Sequence, residues 1–329
     1  MVRVGVTGAA GFIGGALVQY LTDSGYEVRG VDNLTGPMAV LRPGVDVLQA
    51  DLRGPAALDH LRDCQVVLHL AAVSGVIACA ERPEASAAVN LGSTNTLARW
   101  CAGRRIPLAF ASSFAVVGIP DQLPITEETP PKPTHEYARQ KAGGEDLVRG
   151  HATKSGVPMA ILRMSNVYGR YVADGHPIAK GNVLNAFAEQ APHGTLRVNA
   201  PGTQRRDYIH LMDVLAHWEA TVRFLLAAKP PSRTFTFNVA SGETATVLDL
   251  AGQVAARWAA LHPDAAKLDI QVVPNPRGAI ELLQPEFEVR RAETEKALGV
   301  KVAHALAGSI DPVLAGTDMY EKPAARAAK

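Results

Sequence analysis

One residue pair in this 329-residue chain has the types and spacing for proton transfer. Tyr137 and Lys141 stand four apart in Tyr137-Ala138-Arg139-Gln140-Lys141, and on a helix they share one face. An ammonium near a phenol favours phenolate, lowers its pKa and makes it a usable base near neutral pH. Of the seven tyrosines (20, 26, 137, 168, 171, 208 and 320), only Tyr137 has lysine at the fourth following position. The plain alternative is a solvated pair on a helix surface. Upstream, Ser112 and Ser113 end an apolar segment. A hydroxyl there could bond a substrate oxygen alongside Tyr137, or could only cap or turn the chain locally.

A second constellation lies at the N-terminus. Val2 to Thr7 is an apolar strand, glycines follow at 8, 11 and 14, and a helical run begins at Phe12. Gly8 allows a tight turn, Gly11 lets a pyrophosphate approach the backbone, and Gly14 lets the helix sit close on the strand. The helix N-terminus offers free N–H groups to phosphate. The next strand, Tyr26 to Val31, ends in Asp32, placed about twenty residues on, where a carboxylate accepts hydrogen bonds from an adenosine ribose. A glycine-rich connector and a surface aspartate would be the plain alternative. The order strand, glycines, helix, strand, acid favours the dinucleotide reading.

The elements that must position these groups alternate. Strands are expected at 46–50, 65–70, 108–112 and 158–163, with helices at 55–61, 84–103 and 136–154 between them. Near-continuous apolar strands fit a parallel sheet covered on both faces. Thr134 can cap the helix that carries Tyr137. The proline-bearing stretch Gly118 to Pro133 can be neither helix nor central strand, and a loop of that length is often functional. After Asn166 the pattern loosens: helices at 181–190, 211–228 and 246–261, and strands at 196–198, 207–210, 235–239 and 269–273. The expected fold is α/β, a Rossmann-type doubly wound parallel sheet with a smaller mixed α/β substrate-binding lobe. Residues 1–165 plus about 235–262 would bind dinucleotide. Residues from about 166 to 234 plus 263–329 would close over a substrate.

Composition excludes some partners. The chain is 47% hydrophobic and 20% charged with net charge +1, so nothing favours nucleic acid or an anionic membrane. Cys64, Cys79 and Cys101 lack CxxC spacing and read as small buried hydrophobes in a reducing compartment. The uncharged run Val66 to Ala80 is too short to span a bilayer comfortably and fits a buried strand followed by a loop. Strand-turn-helix chemistry at the N-terminus argues against a signal peptide, and a cytoplasmic protein is expected. The ten histidines show no metal-binding spacing such as HExxH, so no metal is expected.

With these residues in place, the chain resembles the extended short-chain dehydrogenase/reductases, in the NAD-dependent epimerase/dehydratase group that acts on nucleotide sugars. The likeness rests on Thr7 to Gly14, Asp32-Asn33, Asp51-Leu52, His69-Leu70-Ala71-Ala72, Asn90, Ala111-Ser112-Ser113, Tyr137 with Lys141, Leu162-Arg163, Asn166-Val167-Tyr168-Gly169, and Arg206 to His210 with Asp213-Val214. These motifs span residues 1 to about 240 in the family's order.

The resemblance implies roles. Gly8, Gly11, Phe12 and Ile13 would cradle the pyrophosphate of NAD. Asp32 and Asn33 would hold the adenosine ribose, and the acid disfavours the 2′-phosphate of NADP. Asp51 and Leu52 would flank the adenine, and Ala71 and Ala72 would line the cofactor. Ser113 would orient the reacting hydroxyl, Tyr137 would be the base, and Lys141 would also bind the nicotinamide ribose. Ser74 and Asn166 would contact substrate, Arg206 would meet its diphosphate, and Arg277 would be a second phosphate arginine. A homodimer through helices 84–103 and 136–154 is implied in the same way.

The activity implied is C4 epimerisation of a nucleotide sugar, a UDP-hexose or UDP-uronic acid, through a transient 4-keto intermediate. Arg205 to Asp213 is similar to the corresponding stretch of UDP-glucose 4-epimerases. Phe114 and Ala115 stand where dehydratases and decarboxylases carry acidic chemistry, which argues against a 4,6-dehydratase. Val117 replaces a usual tyrosine, and His135-Glu136 replaces a usual Ser-Pro. The alternatives are a nucleotide-sugar oxidoreductase or decarboxylase using the same first step, or a non-catalytic NAD sensor.

Overall fold

The computed structural model describes residues 1–36, 44–173, 176–179, 181–229, 234–276, 278, 286–317, 320 and 322–323. The first half runs β1 (Arg3–Thr7), α1 (Phe12–Asp23), β2 (Glu27–Asp32), β3 (Asp46–Gln49), α2 (Pro55–His60), β4 (Val66–His69), α3 (Val76–Glu81), α4 (Pro83–Arg104), β5 (Leu108–Ser113), α5 (Glu136–Ser155) and β6 (Met159–Met164). The second half runs β7 (Asn166–Tyr168), β8 (Arg170–Ala173), β9 (His176–Ala179), α6 (Val183–Gln190), β10 (Thr195–Asn199), β11 (Arg205–His210), α7 (Leu211–Ala227), β12 (Thr234–Val239), β13 (Thr244–Thr246), α8 (Val247–Leu261), β14 (Asp269–Val273), α9 (Ala292–Leu298) and α10 (Leu306–Ala315).

Seven strands form one sheet in the order β12-β6-β5-β4-β1-β2-β3, every neighbouring pair parallel. This is the doubly wound Rossmann arrangement, and the chain reverses its direction of winding between β1 and β4. Strand alternation splits the core between the two faces. Val66, Leu68, Ala109 and Ala111 pack with Leu17 and Leu21 of α1 and Trp218 of α7. Val67, Leu108 and Phe110 pack with Leu97 and Cys101 of α4 and Val148 of α5. All three cysteines are buried thiols.

The other strands make small sheets: β13-β11-β7, β10-β14 and the β8-β9 hairpin. A separate cluster joins Tyr168, Phe187, Leu196 and Tyr208 to α8 through Leu250 and Val254. Helix α8 packs in this second cluster. It starts with a capping box in which Thr246 accepts from the Asp249 N–H and the Asp249 carboxylate accepts from the Thr246 N–H. The run from Val66 to Ala80 is a strand followed by α3, where a loop was expected. Among the described residues no helix is long and apolar enough to cross a membrane.

Asp213, in the first turn of α7, ties the C-terminal segment to the rest. Its carboxylate accepts from the N–H groups of Ala303 (2.9 Å) and His304 (3.1 Å), and pairs with His304 Nδ1 at 3.1 Å. Burial alone would raise this carboxyl; the His304 and Ala303 hydrogen bonds outweigh it and hold the group below its ordinary value of 3.8. A carboxyl whose folded pKa is depressed stabilises fully above its unfolded value and loses that contribution as pH falls through the folded one. Asp213→Asn is therefore expected to cost about 1.5–3 kcal/mol at pH 7. The deficit should shrink toward pH 3. Unfolding midpoints measured at both pH values check this, and an equal deficit at both would contradict it.

Candidate active site

Parallel strands deliver their carboxyl ends to one edge of the sheet, and the crevice of such folds lies there, at the point where the winding reverses. The β1-to-α1 turn sits at this edge. Gly8 has φ +71°, a left-handed conformation that disfavours a side chain. A Cβ on Gly14 would lie 1.9 Å from the Gly8 carbonyl oxygen, so only glycine lets α1 start this close to the turn. Gly11 is the N-cap residue, and no side chain caps the helix. The first-turn N–H groups of Phe12 and Ile13 thus have no intrahelical acceptor and suit an anion.

Asp32 closes β2 beside this turn. Its Oδ2 accepts from Ala10 N at 3.0 Å and its Oδ1 from Leu34 N at 2.7 Å. Asn33 is exposed, and its Oδ1 accepts from Thr35 N and Oγ1 at 3.2 and 2.8 Å. Asp51 pairs with Arg53 at 2.6 Å, which holds its carboxyl below the usual range, and Leu52 beside it is buried. Ala71 and Ala72 follow β4, half-buried at the same edge. An uncapped helix start, a turn without side chains and a carboxylate at the next strand end fit a dinucleotide.

The second constellation meets on α5. Ser113 ends β5, and both Ser113 and Ser74 hydrogen-bond the Tyr137 hydroxyl. Tyr137 is half-buried, with its ring stacked on His135 at 6.2 Å between centroids and 7° between planes. Lys141, one turn on, is buried; its Nζ donates to the Ala111 carbonyl at 2.7 Å and lies 5.0 Å from the centre of the Phe110 ring. The expected lowering of the phenol by a neighbouring ammonium does not prevail. Burial pushes the phenol up to about 12, against the hydrogen bonds from Ser113 and Ser74. The cap of α5 also differs from expectation: His135, not Thr134, accepts from the Ala138 N–H, at 3.2 Å to Nδ1.

Glu145, which the sequence reading did not single out, is the hub of the contacts that hold this pair in place. Strand alternation sends the Ser112 hydroxyl to the opposite face from Ser113, where it donates to Glu145 Oε1 at 2.6 Å. Arg163 on β6 grips both oxygens of Glu145, at 3.0 and 2.9 Å, and donates to the Thr129 carbonyl in the proline-bearing loop at 2.8 Å. Tyr137, Lys141 and Glu145 are spaced by four, so one stripe of α5 bears them all. Asn90 on α4 secures the segment before Ser74. Its Oδ1 accepts from Val73 N (2.7 Å), and its Nδ2 donates to Val73 O (3.0 Å) and Gln140 Oε1 (2.7 Å).

His69 closes the network. Thr94 Oγ1 donates to Asn90 O at 2.6 Å, so toward His69 Nε2, 3.0 Å away, it accepts. That places the proton on Nε2 and leaves Nδ1 to accept from Thr7 Oγ1 at 2.8 Å. Burial, helped by the Lys141 charge, pushes the His69 pKa down to about 3, so the ring stays neutral.

The remaining expected residues lie further out. Asn166 is exposed at the start of β7 and donates to Asp207 O at 3.0 Å. Arg206 is half-buried on β11, its Nη1 donating to Arg205 O at 3.0 Å. Beside it Asp207 is buried and accepts from Ser241 N (3.0 Å) and Gly242 N (2.6 Å); burial holds its carboxyl above the usual range. Arg277 lies outside the described residues.

A parallel Rossmann sheet with a glycine turn, and a Tyr/Lys helix beside a strand-end serine, define a short-chain dehydrogenase/reductase. The chain belongs to the NAD dependent epimerase/dehydratase family, whose sequence model matches residues 4–240. NAD is the family's cofactor. The UDP-glucose 4-epimerase of Mycolicibacterium smegmatis is 32% identical over 259 residues, 74% of this chain and 79% of that protein. The Thermus thermophilus UDP-glucose 4-epimerase, solved in complex with NAD, has a TM-score of 0.78 at 27% identity, over 96% of this chain and 99% of that one. TunA, described as an NAD dependent NDP-hexosamine 5,6-dehydratase of tunicamycin biosynthesis, has a TM-score of 0.78 at 27% identity, over 95% and 96%.

Proposed function

We propose that the protein is a nucleotide-sugar 4-epimerase acting on a UDP-hexose or UDP-uronic acid. The observation that carries this reading is the convergence of Ser113 and Ser74 on the Tyr137 hydroxyl, one helical turn from buried Lys141. Phe114 and Ala115 follow Ser113, and Phe114 packs with Val116 and Val117 in an apolar cluster, so these two positions offer no carboxylate for eliminating water. The likeness to UDP-glucose 4-epimerases supports the sugar class.

In this reading Ser113 orients the sugar hydroxyl, and Tyr137 removes its proton and later returns it to the oxygen of the 4-keto group, the hydride going back to C4 on the opposite face. Bound NAD supplies the hydride acceptor and donor. Lys141 keeps positive charge near the phenolate as it forms. Ser74 and Asn166 contact the substrate, Asn166 at its phosphate or sugar region, and Arg206 meets the diphosphate. Asp32 holds the adenosine ribose, with Gly8, Gly11, Phe12 and Ile13 on the pyrophosphate.

Two measurements test the reading. The first incubates the purified protein with a panel of nucleotide sugars and catalytic NAD and follows each by proton NMR. A new 4-epimer without net NADH supports it. Net NADH, carbon dioxide or a stable keto sugar moves the protein to the oxidoreductase or decarboxylase alternative, and no turnover with NAD bound favours a sensor. The second is Asp32→Ala, expected to weaken NAD about 10–150-fold, as for lost hydrogen bonds to a charged group. NADP should lose less, because the repelling carboxylate goes too. Equal losses in titrations of both cofactors would remove the ribose assignment.

A further inference from the structure

We propose that Tyr171 is a positioning residue for the cofactor turn: the β8-β9 hairpin grips the start of α1 through this side chain and sets how slowly NAD leaves. The inference rests on the reading that the Gly8-to-Gly14 turn holds the NAD pyrophosphate.

Tyr171 comes from the second half of the chain yet is fully buried in the core cluster of α1. Its hydroxyl donates to the carbonyl of Gly11, the N-cap residue of α1, at 3.5 Å. The same carbonyl accepts from Gly15 N at 2.7 Å, the first hydrogen bond of the helix. The Tyr171 ring lies 6.3 Å from that of Phe12, tilted by 40°. A Cβ on Gly15 would stand 2.3 Å from the Tyr171 hydroxyl oxygen and 3.1 Å from Cζ. Gly15 lies outside the Gly8, Gly11, Gly14 series, and the space it leaves is filled by the phenol.

The hairpin is itself anchored. Arg170 O accepts from Tyr320 N at 3.0 Å, and Arg170 Nη2 donates to Val313 O at 3.2 Å. Tyr320 in turn meets the far end of α1, its ring edge-on to Tyr20 and its hydroxyl donating to Asp23 Oδ2 at 2.8 Å. Helix α1 is thus held at both ends by elements outside the first βαβ unit. A turn fixed before its ligand arrives loses less freedom on binding, and such gains show mainly as slower release.

The test follows release of NADH by its own fluorescence, chased with excess NAD, from four proteins: the parent, Tyr171→Phe, Gly15→Ala and the double variant. Tyr171→Phe removes the hydrogen bond to the Gly11 carbonyl and should speed release about 3–10-fold. Gly15→Ala should speed it further in the parent but add little in the Tyr171→Phe background, where the clashing oxygen is gone. Tyr168→Phe is the control, because it removes another buried hydroxyl, bonded to Ser309 Oγ at 2.9 Å, away from α1. Its release should match the parent's. Parental release from Tyr171→Phe, additive effects of the two substitutions, or equal acceleration in Tyr168→Phe each overturn the proposal while leaving the cofactor assignment intact. A parent protein that binds no NADH removes both.

Discussion

Tyr137→Phe is expected to lower kcat by about 10²–10⁴-fold, the usual contribution of a positioned proton-transfer group. The ring and its stacking on His135 survive the change, so NADH affinity should fall far less than turnover. The phenol sits near 12 because burial outweighs its hydrogen bonds. A base acts only when deprotonated, so the parent's kcat should rise with pH until the phenol of the loaded complex ionises. The variant should lose that limb. Steady-state rates from pH 6 to 9, with NADH titrated separately, read both quantities. Turnover within a few-fold of the parent's would remove Tyr137 from the chemistry.

Arg163→Met is expected to destabilise the fold by about 3–5 kcal/mol, the cost of leaving a buried charge without its main partner. The side chains of Arg163 and Glu145 are 1% and 0% exposed, so water cannot replace the lost contacts. Burial opposes ionisation of Glu145, but the Arg163 hydrogen bonds and charge prevail and keep the carboxyl below its usual value. That stabilisation is present above the unfolded pKa and lost as pH falls through the folded one. The deficit in Arg163→Met should therefore shrink on acidification. Adding Glu145→Gln should recover part of it at pH 7, since the orphaned charge is removed as well. Urea unfolding of the three proteins decides; a deficit below about 1 kcal/mol would place the pair with weak surface ion pairs.

What the sequence shows depends on whether the determinants are neighbours in the chain. The turn from Gly8 to Gly14, Asp32 at its strand end, and Tyr137 with Lys141 are local patterns, and the structure places them on the expected elements. Strands buried on both faces were legible for the same reason. The short strands β7 and β13 were not, because both pair with β11, distant in sequence; β8 and β9 pair with each other nearby in the chain, but their Gly- and Pro-bearing segment shows no strand pattern. Residues 112 and 113 look alike in sequence; pleat alternation gives one to Glu145 and the other to Tyr137. Ser74 meets Tyr137 from a segment that Asn90, distant in sequence, fastens at Val73. His69 connects Thr7 and Thr94 across the sheet, and no spacing rule announces such a link. The direction of the Tyr137 shift also escaped a one-dimensional reading: the lysine is visible in the sequence, and the burial is not.

The four-residue cadence of Tyr137, Lys141 and Glu145 has a consequence for recombining this chain with its relatives. Because the reactive phenol, the ammonium and the anchor to Arg163 share one helical stripe, an insertion or deletion between 137 and 145 would rotate one end of the stripe off its partners. The segment should be exchanged whole or not at all. Crossover points for chimeric libraries belong outside it, and Glu145 should travel with the Arg163 of the same parent.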